Sequence, residues 1–435
     1  MPLRFLLVCG ALAALGCAPM QPFHCEDNRA CALENGTQGI CEVNGACSFP
    51  DSSCPGTHRR MTAGPEAADC VPAGQRCIVG LALGAAHACA VRDDGRVLCW
   101  GANVAGQAGA SIDHAIVSAP TVVDGLPTGA TAIAAGTTQT CALFGDGSVS
   151  CWGSQDEGVT VARPSPVLGS SGAFVARALA VGDTHACAIG PSGVSCWGDN
   201  SRGQCGQEPA LDGGVPWLAR ALPVVGSALL SATSLGAGAE RSCGVSGDGH
   251  VYCFGSNQSG GLGSPLAPAA YAASPVPVEG LADVAGLAVG AEHACAVRSD
   301  HSLWCWGYGG VGSLGSGVLV DAPRPVQVGR ASRAVAGSAS DVTCTLDADG
   351  WAMACWGRNE SGQTGTGFET PLVPSPTRAA LTTVDLLALG GDFGCATTQD
   401  GTLWCWGKND QGQLGSGSAG GVAHVPRRVE FPCYR

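Results

Sequence analysis

A pair of cysteines astride a tight-turn dipeptide, the second followed by an aromatic residue and glycine, recurs seven times in this chain. The first instance is "CAVRDDGRVLCWG", Cys89 to Gly101. The pairs are Cys89 and Cys99, Cys141 and Cys151, Cys187 and Cys196, Cys243 and Cys253, Cys295 and Cys305, Cys344 and Cys355, and Cys395 and Cys405. Successive first cysteines are 52, 46, 56, 52, 49 and 51 residues apart. A fixed period of this size makes each copy one supersecondary unit that must stack on its neighbours to bury a core. Between the cysteines, apolar residues lead into Asp94-Gly95 and Val97-Leu98 leads out, the pattern of a β-hairpin whose turn uses glycine's access to positive φ. Asp146-Gly147, Ser192-Gly193, Asp248-Gly249, Asp349-Gly350 and Asp400-Gly401 repeat that turn; the fifth copy has Asp300-His301, a less favourable choice. Cysteines facing each other across a hairpin lie within disulfide reach. Metal ligation is the rival reading, but two thiolates per copy with no second pair nearby do not complete a four-ligand shell.

After each hairpin comes an extended, proline-marked run such as "APTVVDGLPTGATAIAAG", which gives about four short strands per copy. The 67 glycines among 435 residues oppose long helices. Seven four-stranded sheets close naturally into a propeller with short, protected edges, whereas an open solenoid needs polar caps that this sequence lacks. The expected fold class is all-β: a seven-bladed β-propeller preceded by a small disulfide-rich module.

The segments Gly-x-x-His-x-Cys-Ala, Asp-Gly-x-Val-x-Cys-Trp-Gly and Asn-x-x-Gly-Gln-x-Gly resemble the repeat of the regulator-of-chromosome-condensation family, over roughly residues 78 to 435. The resemblance implies a seven-bladed propeller. Its aromatic-glycine step recurs at Trp100, Trp152, Trp197, Phe254, Trp306, Trp356 and Trp406. The Asn-x-x-Gly-Gln segment stands at Asn359 to Gln363 and Asn409 to Gln413, recurs with other intervening residues at Asn103 to Gln107 and Asn200 to Gln204, and is decayed in the second, fourth and fifth copies. The paired cysteines depart from the intracellular family pattern and suit an exported branch. Family members act in nucleotide exchange on a small GTPase, chromatin binding, light sensing and inhibition of secreted enzymes; the first two require an intracellular setting.

Residues 1–17, "MPLRFLLVCGALAALGC", join a single positive charge to an apolar run too short to span a bilayer, an export signal. Its end resembles a bacterial lipoprotein signal that would lipidate Cys17, although Leu15 stands where a small residue is usual; ordinary cleavage near Ala18 is the alternative. The expected location is the outer membrane through that lipid, or a secreted or periplasmic state, all compatible with disulfides. Residues 18–76 read as a tether and a small module holding Cys25, Cys31, Cys41, Cys47, Cys54 and Cys70, whose connectivity is not deducible from sequence; residues 77–435 read as the propeller. Cys77 and Cys433 flank the repeats, and a bond between them would lock the ring. Cys205 is left over, expected as a buried free thiol.

Function is less legible. A net charge of -13, with Lys408 the one lysine, disfavours nucleic acid and anionic membranes, leaving an N-terminal lipid as the only expected membrane contact. His87, His185 and His293 share one copy position, but Gln139 and Arg241 replace them elsewhere, so hydrogen bonds to a turn or a neighbouring blade are the better reading than a metal ring. The repeated tryptophans read as inter-blade anchors. Trp217, in an insertion of the third copy, is a candidate partner contact; Trp304, Trp351 and Trp404 are further aromatics outside the shared positions. The sequence carries no catalytic motif, and neither cofactor nor metal is expected. The reading is a monomeric envelope scaffold presenting loops to a protein or glycan, without catalysis. Alternatives are an inhibitor of an envelope or secreted enzyme, a glycan-acting hydrolase and a structural envelope component.

Overall fold

The computed structural model describes residues 40–41, 47–50, 57–60, 70–72, 77–156, 159–170, 172–209, 217–265, 267, 270–331, 333–337, 339–347 and 352–432. The chain divides into two units, Met1–Gln75 and Arg76–Arg435. In the first, strands Ile40–Cys41, Cys47–Pro50, Thr57–Arg60 and Cys70–Pro72 form one antiparallel sheet in sequential order, with Cys41 opposite Cys47. Cys17 and the bonds of the N-terminal cysteines lie outside the described residues.

The second unit is a seven-bladed propeller. Blade 1 consists of Ile78–Leu83, His87–Arg92, Val97–Ala102 and Ile116–Val122, paired in that order. Blades 2 to 7 repeat the plan over residues 130–166, 178–223, 234–277, 284–330, 333–382 and 384–429. Each blade is therefore a contiguous piece of chain, and no strand is exchanged at the closure. Among the described residues the only helical element is a single 3-10 turn, Gln258–Gly260. Blade 3 gains a hairpin at its outer edge, Leu168–Gly169 with Gly172–Ala173, through a parallel bridge from Gly169 to Ala221.

The hairpin cysteines are directly opposed in register in every blade. All seven expected pairs are disulfides within their own blade. Cys89 is bonded to Cys99, Cys141 to Cys151, Cys187 to Cys196 and Cys243 to Cys253. Cys295 is bonded to Cys305, Cys344 to Cys355 and Cys395 to Cys405. In each pair the Cα atoms are 4.1 Å apart, the close approach of strands at a directly opposed position. By chain entropy a closed loop of this size contributes about 3 kcal/mol per bond. The aromatic-glycine step after the second cysteine marks a bulge: pairing to the fourth strand shifts between Cys99 and Gly101, and likewise in the other blades. Gly101 has φ 101°, and a Cβ there would lie 2.5 Å from the Ala86 carbonyl oxygen. Glycine is required on both counts.

The described hairpin turns hold as the sequence implies, Asp349-Gly350 lying outside the described residues. Asp146 Oδ1 accepts the Ser148 amide at 2.9 Å and Asp400 Oδ1 that of Thr402 at 3.0 Å, while Gly147 and Gly401 stand at φ 85° and 82°. In blade 5 the exposed His301 is forced to φ 66° at the position glycine holds elsewhere. Left-handed backbone costs a non-glycine residue about 1–2 kcal/mol. His301→Gly should therefore stabilise the protein by about 1 kcal/mol, seen as a higher urea midpoint at unchanged slope.

The apolar core lies between blades. Trp100 is fully buried with Leu403, the Cys405 disulfide and Leu414 of blade 7; Trp306 packs on Val245 and Leu262 of blade 4. The two chain ends of the propeller also meet there. Phe431 sits edge-on to Trp100 with ring centroids 6.3 Å apart, and Arg92 Nη1 donates to the Pro432 carbonyl at 3.0 Å. Cys77 is buried and disulfide-bonded, and its expected partner Cys433 lies outside the described residues.

Candidate binding face

Because every blade is an antiparallel sheet, the loops joining strands one to two and three to four emerge on the same face of the disc. The first set surrounds the central mouth and begins with a glycine in each blade: Gly84, Gly136, Gly182, Gly238, Gly290, Gly337 and Gly390. These glycines touch. A Cβ on Gly136 would stand 1.9 Å from the Gly182 carbonyl oxygen, on Gly182 2.3 Å from that of Gly238, and on Gly390 2.5 Å from that of Gly84. The last contact closes the ring between blades 7 and 1.

Just behind the glycines, the three histidines bond the next blade. His87 Nε2 lies 2.8 Å from Thr140 Oγ1, His185 Nε2 2.8 Å from Ser242 Oγ, and His293 Nε2 2.7 Å from Thr343 Oγ1. Each hydroxyl donates onward to a main-chain carbonyl of the histidine's own blade, at Gln107, Gln204 and Ser313. With its proton committed, the hydroxyl accepts from the ring, so each imidazole carries its proton on Nε2. The chain alternates accordingly: His-Ala in blades 1, 3 and 5, Thr or Ser after the cognate position in blades 2, 4 and 6, and Phe393-Gly394 in blade 7. That alternation was legible in the sequence, but the partner hydroxyls were missed because the histidines were read alone. Neighbouring-blade bonding was the correct reading of these residues.

Burial lowers the three histidines to about 3, 4 and 3 respectively, with Asp199 working against the shift at His185 and Arg241 adding to it at His293. A base whose folded pKa lies below its unfolded value of 6.5 contributes stability that is whole above 6.5 and falls away as pH drops toward 4 and 3. Asp183, raised to about 6 by burial and the nearby Glu240, works in the opposite direction across the same range. The difference between variants isolates one histidine: His87→Gln should flatten the loss of stability between pH 6 and 4 by up to about 1.4 kcal/mol per pH unit, read from urea midpoints.

Carbonyls at this loop position also receive the tryptophans. Trp152 Nε1 donates to Gln107 O at 3.0 Å, Trp356 to Ser313 O at 2.9 Å, Trp406 to Gln363 O at 2.9 Å, and Trp100 to Gln413 O at 2.9 Å across the closure. The loop that supplies them is organised by its asparagine: Asn409 Oδ1 accepts the Leu414 amide while Nδ2 donates to Ser418 and Gly420. Although the fourth copy looked decayed, Asn257 Oδ1 still accepts the Leu262 amide at 3.2 Å. In the second copy the loop is lost. Phe174, following the extra hairpin, sits edge-on to Trp197 at 5.9 Å and covers it instead.

Blade 4 departs in a coupled way. Arg241 occupies the histidine position and is 1% exposed; its guanidinium fills the space above Gly261, the residue that stands where other loops carry glutamine. A Cβ on Gly261 would lie 1.5 Å from Arg241 Nη1, which donates to the Glu292 carbonyl at 2.9 Å. Burial lowers the guanidinium to about 10, against the pull of Glu292 and Glu240.

Around the mouth, blades 3 to 7 each place a carboxylate next to the ring: Asp183, Glu240, Glu292, Asp341 and Asp392. Asp183, Glu292 and Asp341 are all raised, first by burial and, for the first two, by neighbouring carboxylates. This crescent was not anticipated, because its members are single acidic residues at slightly different offsets from each cysteine. Farther out on the same face, the loops expose Val104, Ile112, Val318, Leu319, Val320 and Phe368. Trp217 is half-buried at the start of blade 3's outer strand, paired with Asp199. Trp304 and Trp404 are also half-buried, their Nε1 atoms donating to Ser302 and Thr398; Trp351 lies outside the described residues. Cys205 is the free cysteine among the described residues, fully buried, its thiol pushed far up by burial and its Sγ 3.3 Å from the Asp199 carbonyl. Among the described residues no His, Cys, Asp and Glu group could hold a metal ion.

Comparison with known proteins agrees with this geometry. The Arabidopsis thaliana ultraviolet-B receptor UVR8 is 28% identical over 314 residues, covering 69% of this chain and 70% of that protein. Among solved structures, human WBSCR16 superposes with a TM-score of 0.52 at 20% identity, covering 86% of this chain and 89% of that one. Prp20p of Saccharomyces cerevisiae superposes at 0.50 and 18%, covering 90% and 84%. Models of the Regulator of chromosome condensation (RCC1) repeat match at 78–107, 176–204, 232–260, 284–313 and 384–413, and again at 94–143, 248–297 and 400–433. The matched segments together span just over half of the chain, blade 6 lying outside them, and show its family: the chain belongs to the RCC1 repeat family.

Proposed function

We propose that this protein is a non-catalytic scaffold that binds a protein partner at the cell envelope, exported and held at the outer membrane by a lipid on Cys17. The RCC1-like propeller itself suggests a protein-binding scaffold. The observation that carries the reading here is a division of labour within each blade. The shared polar residues, such as His87, Thr140, Asn103 and Gln107, are spent on internal hydrogen bonds, while the third-to-fourth-strand loops vary in length and hold out aliphatic side chains. Exposed apolar side chains on rigidly seated loops mark interaction surfaces more often than catalytic ones. UVR8 is named as a receptor, and the Prp20p structure is described with binding to Gsp1p and histones; for this chain the partner is proposed from its own surface.

The test uses the full chain expressed with its leader. Labelled palmitate should enter the wild-type protein and not Cys17→Ala, and gentle crosslinking of intact cells should join the propeller to a discrete envelope protein. Absence of lipid in the wild type would overturn the anchoring, and turnover of an envelope glycan by the purified chain would overturn the non-catalytic assignment.

A further inference from the structure

The exposed aliphatic residues concentrate on one loop. In blade 5, Val318, Leu319 and Val320 are 54%, 46% and 61% exposed, three consecutive apolar side chains held toward solvent. The loop is not slack: the Gly317 amide donates to the Pro374 carbonyl of blade 6 at 3.0 Å, and Asp321 Oδ1 accepts the Gly309 amide at 3.0 Å. Beneath it runs a groove of about 330 Å³ lined by Leu314, Val318, Val320, Pro323 and Val326, and by Arg324, whose charge is taken up by Glu279 at 2.9 Å. Asp321 stands at its rim; it accepts the Gly309 amide, and the amide of the preceding residue, Tyr308, donates to the Glu292 carbonyl at 3.0 Å, so the groove lies beside the carboxylate crescent of the mouth.

The crescent's charge is only partly neutralised: Arg358 acts on Asp341 through space. Arg202 and Lys408 come only to 4.0 Å from Glu240 and Asp392, both at exposed positions, and Arg241 spends Nη1 on a carbonyl rather than a carboxylate. On the opposite face two carboxylates have arginine partners, Asp94 with Arg92 and Asp283 with Arg298. An apolar groove beside under-compensated negative charge selects a partner with apolar anchors and positive flanks. We propose that the blade 5 groove and the adjoining crescent dock an amphipathic, cationic segment of a protein partner, with aliphatic side chains in the groove and Lys or Arg over Glu292 and Asp341. The proposal rests on the scaffold reading and names the face and the chemistry of its partner.

The probe is a fluorescein-labelled amphipathic Lys/Leu dodecapeptide, titrated against the full chain by anisotropy beside Lys/Ser and Glu/Leu counterparts. The Lys/Leu peptide should bind at least tenfold more tightly than either counterpart. Val318→Ser, Leu319→Ser and Val320→Ser combined should weaken it at least tenfold, as should Glu292→Gln with Asp341→Asn, and raising salt should weaken the wild-type complex. Leu230→Ser, an exposed apolar change on the opposite face, should leave it unchanged. Equal binding of all three peptides, an unaffected triple-serine variant, or a loss with Leu230→Ser as large as with the triple variant would overturn the proposal. Should the envelope partner crosslink undiminished to the triple-serine variant but not to Leu230→Ser, the scaffold reading would stand and the groove would not. Peptide binding that obeys every variant, in cells where no envelope protein crosslinks, would leave the groove standing without the scaffold.

Discussion

Gly136→Ala is expected to destabilise the propeller by more than about 3 kcal/mol, although it adds a single methyl group to a loop at the mouth of the disc. The new Cβ would lie 1.9 Å from the Gly182 carbonyl oxygen, and a backbone atom bound into the next blade cannot rotate away as a side chain could. Relief requires the inner strands of blades 2 and 3 to separate, which also opens the packing of Leu143, Val181 and Trp197 between them. Overpacking in a well-filled interior costs about 1–3 kcal/mol, and more where backbone must move. Gly329→Ala is the control: no heavy atom lies within 4 Å of its added Cβ, so its effect should stay within about 0.5 kcal/mol. Urea unfolding of the two variants decides the matter, and equal midpoints would mean that the inner glycines do not form a tight ring.

The second large effect concerns blade 4. Gly261→Gln should cost about 3 kcal/mol or more, because it evicts a buried guanidinium whose other positions are occupied by Gly307 and the Glu292 main chain. Arg241→Val alone should also destabilise, by leaving a void above Gly261. Blade 6 shows the alternative solution, with Val342 at the histidine position and Gln363 in the loop, its Oε1 accepting the Ser361 amide at 2.8 Å. The double variant, Arg241→Val with Gly261→Gln, copies that arrangement into blade 4. It should recover most of the loss, giving a coupling energy of at least about 2 kcal/mol in a double-mutant cycle. Additive losses would show that the two positions are independent.

The architecture could be read from the chain because its determinants are local and repeated. Cys89 and Cys99 with Asp94-Gly95 between them define a hairpin wherever they occur, and seven hairpins at one period leave few ways to bury their tryptophans. The odd turn at His301 was equally visible, since only backbone chirality is needed to see its cost. The joints between blades were half visible: the histidines stood out, yet Thr140, Ser242 and Thr343 became partners only when residues some 50 positions apart were brought together. Arg241 looked like a lost histidine, and Gly261 like a decayed glutamine, until their shared space linked them. The candidate face was the least legible part. Asp183, Glu240, Glu292, Asp341 and Asp392 converge through the ring's geometry, and nothing in their local sequence distinguishes them from other surface carboxylates. Nothing in the sequence around Val318 to Val320 signals the groove beneath them.

All of these features depend on seven self-contained blades, each closed by its own disulfide and packed face to face around a ring. Proteolysis of the folded, unreduced protein after blocking free thiols, followed by mass spectrometry, tests this most directly. The account predicts bonded peptides joining Cys89 to Cys99, Cys141 to Cys151, Cys187 to Cys196 and Cys243 to Cys253. It predicts the same for Cys295 with Cys305, Cys344 with Cys355 and Cys395 with Cys405, and labelling of Cys205 only when the blocking is done in denaturant. Bonds linking cysteines of different blades, or unpaired thiols at those fourteen positions, would contradict it.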